Sequence, residues 1–168
     1  TEISGIPDYL ENLPEEISIP EELLVNKKYF SRMITDQDER VFNLYLLLLG
    51  YSQLESENEF FINMEDMALS LGLPGAWSYT DLRRQTIRSL KRLQDRYNLI
   101  SVDFLYGKDA FVKLKDIPGN SFIISSESIM KRQSPVLTLR LKFLLMIEAL
   151  LKSKGEDISS ITKSDLAK

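Results

Sequence analysis

Six consecutive apolar residues, Leu44, Tyr45, Leu46, Leu47, Leu48 and Leu49, follow Val41 and Phe42 in a stretch that opens on acids and closes on Gly50. Read as a helix, that stretch leaves almost no polar face, and such a helix is stable only when other elements wrap it. The chain therefore has to build a core around this segment. Thr35 has the side chain of an N-cap, and Asp36, Asp38 and Glu39 bring negative charge to a first turn, where the helix dipole favours it. The expected helix covers residues 36–49, with Gly50 as its stop. Six apolar residues fall far short of the ~20 that cross a bilayer, so no membrane role is expected.

Residues 1–16 carry Pro7, Pro14 and several acids with weak periodicity and read as a loosely ordered lead-in, with at most one helical turn near Tyr9 and Leu10. Ile17-Ser18-Ile19-Pro20 reads as a short strand stopped by proline. Residues 21–30 read as a short helix that turns Leu23, Leu24 and Tyr29 inward.

After a polar linker over residues 52–58 and the run Phe60-Phe61-Ile62, Asn63 is positioned to cap a short helix carrying Met64, Met67, Ala68 and Leu71 at helical spacing. The breaker-rich Leu73-Pro74-Gly75-Ala76-Trp77-Ser78 then separates it from a longer helix over residues 80–97. Short helix, turn and long helix is the order of a helix-turn-helix. Ile100, Val102 and Phe104 alternate with Ser101 and Asp103, Gly107-Lys108-Asp109 supplies a turn, and residues 110–115 return, so a hairpin follows as a wing. The fold class expected is mainly α with small β hairpins (α+β): a winged helix-turn-helix.

The absence of cysteine and histidine removes disulfides, thiolate metal sites, cysteine nucleophiles and the commonest general base. No P-loop, G-x-G-x-x-G, EF-hand loop or G-x-S-x-G is present. The expectation is a non-enzyme with no cofactor, no metal and no small-molecule substrate. With no cationic n-region before an apolar stretch, a cytoplasmic location is expected.

The helix over residues 80–97 carries the functional signal. Leu82, Thr86, Ile87, Leu90, Leu93 and Tyr97 project to one side, and Arg84, Arg88, Lys91, Arg92 and Arg96 to the other. Residues 81–97 hold six cations against two acids, a local +4 within a chain of net charge -4. Positive charge concentrated on one helix of an otherwise acidic chain suits contact with phosphates. The expected DNA-binding residues are Tyr79, Thr80, Arg83, Arg84, Gln85 and Arg88 near bases or the nearest phosphates, Lys91 and Arg92 along the helix, and Lys108 at the wing tip. Ser78 or Thr80 would cap the helix. For Lys91, Arg92 and Arg96 a merely solvated face is the alternative, and for Lys108 turn formation. Trp77 reads as a core plug between the helices.

Ser121-Phe122-Ile123-Ile124 followed by Ser125, Glu127, Ile129 and Met130 echoes Ile17-Ser18-Ile19-Pro20 followed by Glu22, Leu23 and Leu24. Ile34-Thr35 then matches Leu137-Thr138, and Val41, Leu44, Leu47 and Leu48 match Leu144, Ile147, Leu150 and Leu151. The reading is a lead-in over residues 1–16, a winged-helix domain over 17–118, and a second winged-helix unit over 119–168 that stops before its own long helix and wing.

Two such units, the second opening on Thr138-Leu139-Arg140-Leu141-Lys142, resemble the tandem winged-helix replication initiators of plasmids and phages over residues 17–168. That resemblance implies origin recognition on double-stranded DNA and dimerisation through the first unit. The competing readings are a transcriptional regulator and a winged helix used for protein–protein contacts, as in chromosome-organising complexes. Acids from elsewhere in the chain set against the arginines of helix 80–97 would favour the protein-contact reading; free arginines would favour nucleic acid.

Overall fold

The structure is a computed structural model that describes residues 9–104, 109–130 and 138–155. It is an α+β fold in which helices surround one apolar core and two small antiparallel sheets flank it.

The apolar stretch is the central helix, but it begins later and runs further than expected. It spans Glu39–Glu55 and is preceded by a separate helix, Phe30–Asp36. In chain order the elements up to this point are β1 (Glu16–Pro20), α1 (Glu22–Val25), α2 (Phe30–Asp36) and α3 (Glu39–Glu55). Gln37, in the left-handed region at φ 60°, breaks α2 from α3. Thr35 is thus inside α2 and caps nothing: its hydroxyl donates to the Ser31 carbonyl at 3.3 Å. The expected helix over residues 21–30 is likewise replaced by α1 and the start of α2.

Gly50 does not stop α3. Burial explains why a glycine is there: a Cβ at this position would lie 2.5 Å from Leu13 Cδ2 and 3.2 Å from Ile17 Cδ1. The approach chain therefore packs directly on the helix backbone. Tyr9, Leu10 and Leu13 are buried, and the Tyr9 ring meets Tyr51 edge-on at 5.3 Å, so the segment expected to be loosely ordered contributes three side chains to the core.

A sheet of three strands follows α3: β2 (Glu59–Asn63), β3 (Ile100–Phe104) and β4 (Asp109–Leu114), in the order β2-β4-β3. The Phe60-Phe61-Ile62 run is therefore a strand, and it pairs with the returning arm of the hairpin. Phe60 lies opposite Val112 and Ile62 opposite Ala110. Between β2 and β3 come α4 (Met64–Ser70) and α5 (Tyr79–Asp95). Asn63 caps α4 as expected, its Oδ1 accepting from the Glu65 and Asp66 amides at 3.1 and 3.0 Å. The turn expected at residues 107–109 falls largely outside the described residues, as does the segment expected to begin another helix at 163–168.

The second sheet joins distant parts of the chain. β1 pairs antiparallel with β5 (Ser121–Ser125), Ile17 opposite Ile124 and Ile19 opposite Phe122, so the two strands whose sequences echo each other lie side by side. Four buried side chains, Ile17, Ile19, Phe122 and Ile124, tie this sheet to the core. After β5 come α6 (Ser126–Ile129) and α7 (Leu139–Ser153). Thr138 does cap α7, accepting from the Leu141 amide at 3.2 Å. Among the described residues no helix is long and apolar enough to cross a membrane.

Candidate nucleic-acid interface

α5 starts where its sequence says it should: the Ser78 hydroxyl accepts from the Asp81 amide at 3.1 Å, with Asp81 itself in the first turn. Leu82, Thr86, Ser89, Leu90 and Leu93 form its buried stripe. The Thr86 hydroxyl fixes α5 to α4, lying 3.0 Å from the Met64 carbonyl and 3.1 Å from that of Leu82. At the far end the Gln94 side-chain Oε1 accepts from the Val102 amide at 2.9 Å, which holds the hairpin beside the helix. The outward face of α5 is therefore held between the short helix α4 and the β3–β4 hairpin.

That face lines an open groove of about 790 Å³, bounded by Arg32, Arg84, Ile87, Arg88, Lys91, Arg92, Asp95 and Arg96. Six cations thus face one acid. Four of the expected residues, Arg84, Arg88, Lys91 and Arg92, meet here. Ile87 belongs to the groove wall and is only partly buried, where the helical projection had put it with the core face.

The cations differ in what holds them. Arg88 is exposed and Arg83 half-buried, and neither has an ion-pair partner among the described residues. Arg84 pairs with Asp81 of its own first turn at 3.2 Å, with both side chains more than half exposed, so water and phosphate compete freely for it. Lys91 lies over the Phe104 ring, 5.8 Å from its centroid.

Arg92 and Arg96 are held from outside the helix. Arg92 pairs with Asp38 at 3.5 Å, and Arg96 with Asp36 at 3.0 Å; Arg32 reaches the same Asp36 at 3.6 Å. Tyr97 sits beneath this cluster, nearly fully buried, and its hydroxyl lies within hydrogen-bond distance of both Asp36 and Asp38. Burial raises the phenol pKa far above 10.0, and the hydrogen bonds to Asp38 and Asp36, with their charge, push the same way. Arg32 closes the arrangement, its guanidinium 5.7 Å from the Tyr97 ring centroid. The acids expected to serve the dipole of one helix therefore join α2, α3 and α5.

The remaining expected residues lie elsewhere. Gln85 is half-buried and accepts from Arg40 Nη1 at 3.1 Å, on the side of α5 that faces α3. Arg40 also lies over Trp77, 5.8 Å from the ring centroid, so the tryptophan is partly buried against a cation. Tyr79 and Thr80 are exposed at the N-terminal end of α5, before the groove begins. Lys108 lies outside the described residues. Arg32 was not singled out from the sequence, because its place beside α5 arises from a contact between segments 64 residues apart, in which its Nη1 donates to the Arg96 carbonyl at 3.4 Å.

No cluster of three or more His, Cys, Asp or Glu side chains able to hold a metal occurs among the described residues. No family model matches this sequence, and no curated protein or solved structure matches it.

Proposed function

We propose that residues 35–115 form a winged helix that docks on double-stranded DNA through α5, and that the groove of Arg32, Arg84, Arg88, Lys91, Arg92 and Arg96 takes the phosphate backbone. The order α3, β2, α4, α5, β3, β4 and the sheet order β2-β4-β3 support the winged-helix reading. In such a domain the second helix of the helix-turn-helix enters the major groove by its N-terminal part and the wing flanks it. Tyr79, Thr80, Arg83 and Arg84 are then nearest the bases, while Arg88 and Lys91 follow the backbone. Origin recognition by a replication initiator is the narrower activity that the tandem pattern fits.

One observation carries the proposal: six cations line a single open face, with the exposed Arg88 in no ion pair among the described residues. Cations so arranged release condensed counterions from a duplex, and this term supplies most non-specific affinity. The hold of Asp36 and Asp38 on Arg96 and Arg92 favours a second reading, in which the groove receives an acidic segment of a protein partner.

Fluorescence anisotropy of a labelled duplex separates the two. Binding that weakens by about 1–3 kcal/mol in an Arg84→Ala, Arg88→Ala double variant supports DNA docking. Absence of duplex binding at low salt rejects it in favour of the acidic partner.

A further inference from the structure

We propose that β5 is a dimerisation edge, on which a second copy of this chain adds its own β5 to make a continuous four-stranded sheet. The inference is independent of DNA binding.

The register of β1 and β5 decides which backbone groups are free. Ser126 donates its amide to the Glu15 carbonyl and Glu21 to the Asn120 carbonyl, both at 2.9 Å, which fixes the alternation: Ile17 with Ile124 and Ile19 with Phe122 are hydrogen-bonded pairs, whereas Ser18 opposite Ile123 is not. On the β1 side the outward-facing groups of Ser18 are consumed, since the Gln53 amide donates to its carbonyl and accepts from its N–H, both at 2.8 Å. On the β5 side, Ile123 has no such partner among the described residues. Among the described residues, one edge of this sheet is closed by a side chain and the other is open. An open, uncharged edge is a template for another strand.

The surface around the edge is apolar and self-complementary. Ile123 is 48% exposed, and Leu141 and Leu144 on the neighbouring α7 are 42% and 59% exposed. A groove of about 250 Å³ runs between β5 and α7, lined in part by Leu145 and Ala149, and it holds one acid, Glu148, and one base, Lys152. A surface that carries both members of an ion pair beside an apolar strip suits its own copy under a two-fold axis. With the axis at Ile123, the two Ile123 residues exchange their N–H and carbonyl groups, Ser121 lies opposite Ser125 of the other copy, and the α7 helices meet on Leu141 and Leu144.

Sedimentation equilibrium across the micromolar to millimolar range tests this. Ile123→Pro removes an N–H that the protein's own sheet does not use, so it should weaken self-association by about tenfold or more while leaving the circular dichroism spectrum and Tm near wild type. Leu144→Glu, on a different element, should do the same. Because the chain has no cysteine, Ile123→Cys gives a single thiol. Directly opposed residues of a hydrogen-bonded pair have Cα atoms about 5.5 Å apart, within disulfide reach, so oxidation should yield a covalent dimer; Phe61→Cys, exposed on the other sheet, should not. A wild type that is monomeric throughout, or a dimer indifferent to both Ile123→Pro and Leu144→Glu, overturns the proposal.

Discussion

At Gly50 the α3 backbone comes within side-chain contact of Leu13 and Ile17, and the missing Cβ is what allows it. Alanine at this position gains helix propensity and loses packing, two effects of similar size. Valine gains less propensity and brings two further methyl groups into the same contact, so the packing loss prevails. Gly50→Val is therefore expected to destabilise the protein by roughly 1–3 kcal/mol in urea unfolding, and a midpoint equal to wild type would show that the N-terminal approach does not pack there. Tyr97 makes a second residue-scale prediction, this one in pH. Its folded pKa is raised above the ordinary 10.0, so its contribution is fully present below that value. As pH rises past it, the unfolded phenol ionises first and stability falls. Over about pH 9 to 11 the wild type should lose stability more steeply than Tyr97→Phe; parallel curves would place the phenol in an ordinary environment. At neutral pH the same variant leaves Asp36 and Asp38 without their shared donor, at a cost of about 1–3 kcal/mol.

Elements whose signals are local were legible in the sequence. Asn63 and Ser78 are caps in the sequence and caps in the structure, because an N-cap is decided within three residues of chain. Asn63→Ala removes the acceptor for two amides of α4 and should cost about 1 kcal/mol, read as a lowered Tm and faster amide exchange at Glu65 and Asp66; unchanged exchange at both would contradict the capping role. Thr35 and Thr138 have the same local appearance and different fates. Thr138 caps α7, but Thr35 sits in α2, since Phe30 and Met33 are fully buried and draw helix into residues that pattern alone assigns to a cap. Gly50 misled for a related reason: a glycine that permits close packing is indistinguishable, in sequence, from one that ends a helix. The Phe60-Phe61-Ile62 strand was too short to declare itself without β4 beside it.

At the scale of the whole molecule, what the sequence hid is what joins distant segments. The pairing of β1 with β5 spans over a hundred residues, and two similar strands read as repeats carry no local sign that they pair with each other. The cationic stripe of α5 was legible, since amphipathic projection needs only one helix. Arg32, and the acids that hold Arg92 and Arg96, were not, because they reach α5 only after α2 and α3 have packed. The groove is consequently less positive at its Arg92–Arg96 end than a count of its cations implies, and Arg88 and Lys91, with no ion-pair partner among the described residues, become its centre. The salt dependence of duplex binding reads this arrangement most directly. The slope of log affinity against log salt should be steep for the wild type and shallower by about 1 in Arg88→Ala, and a Tyr97→Phe variant should keep the wild-type slope. A wild type with no salt-dependent duplex binding, or an Arg88→Ala slope equal to wild type, would contradict the account of α5 as a phosphate-binding helix.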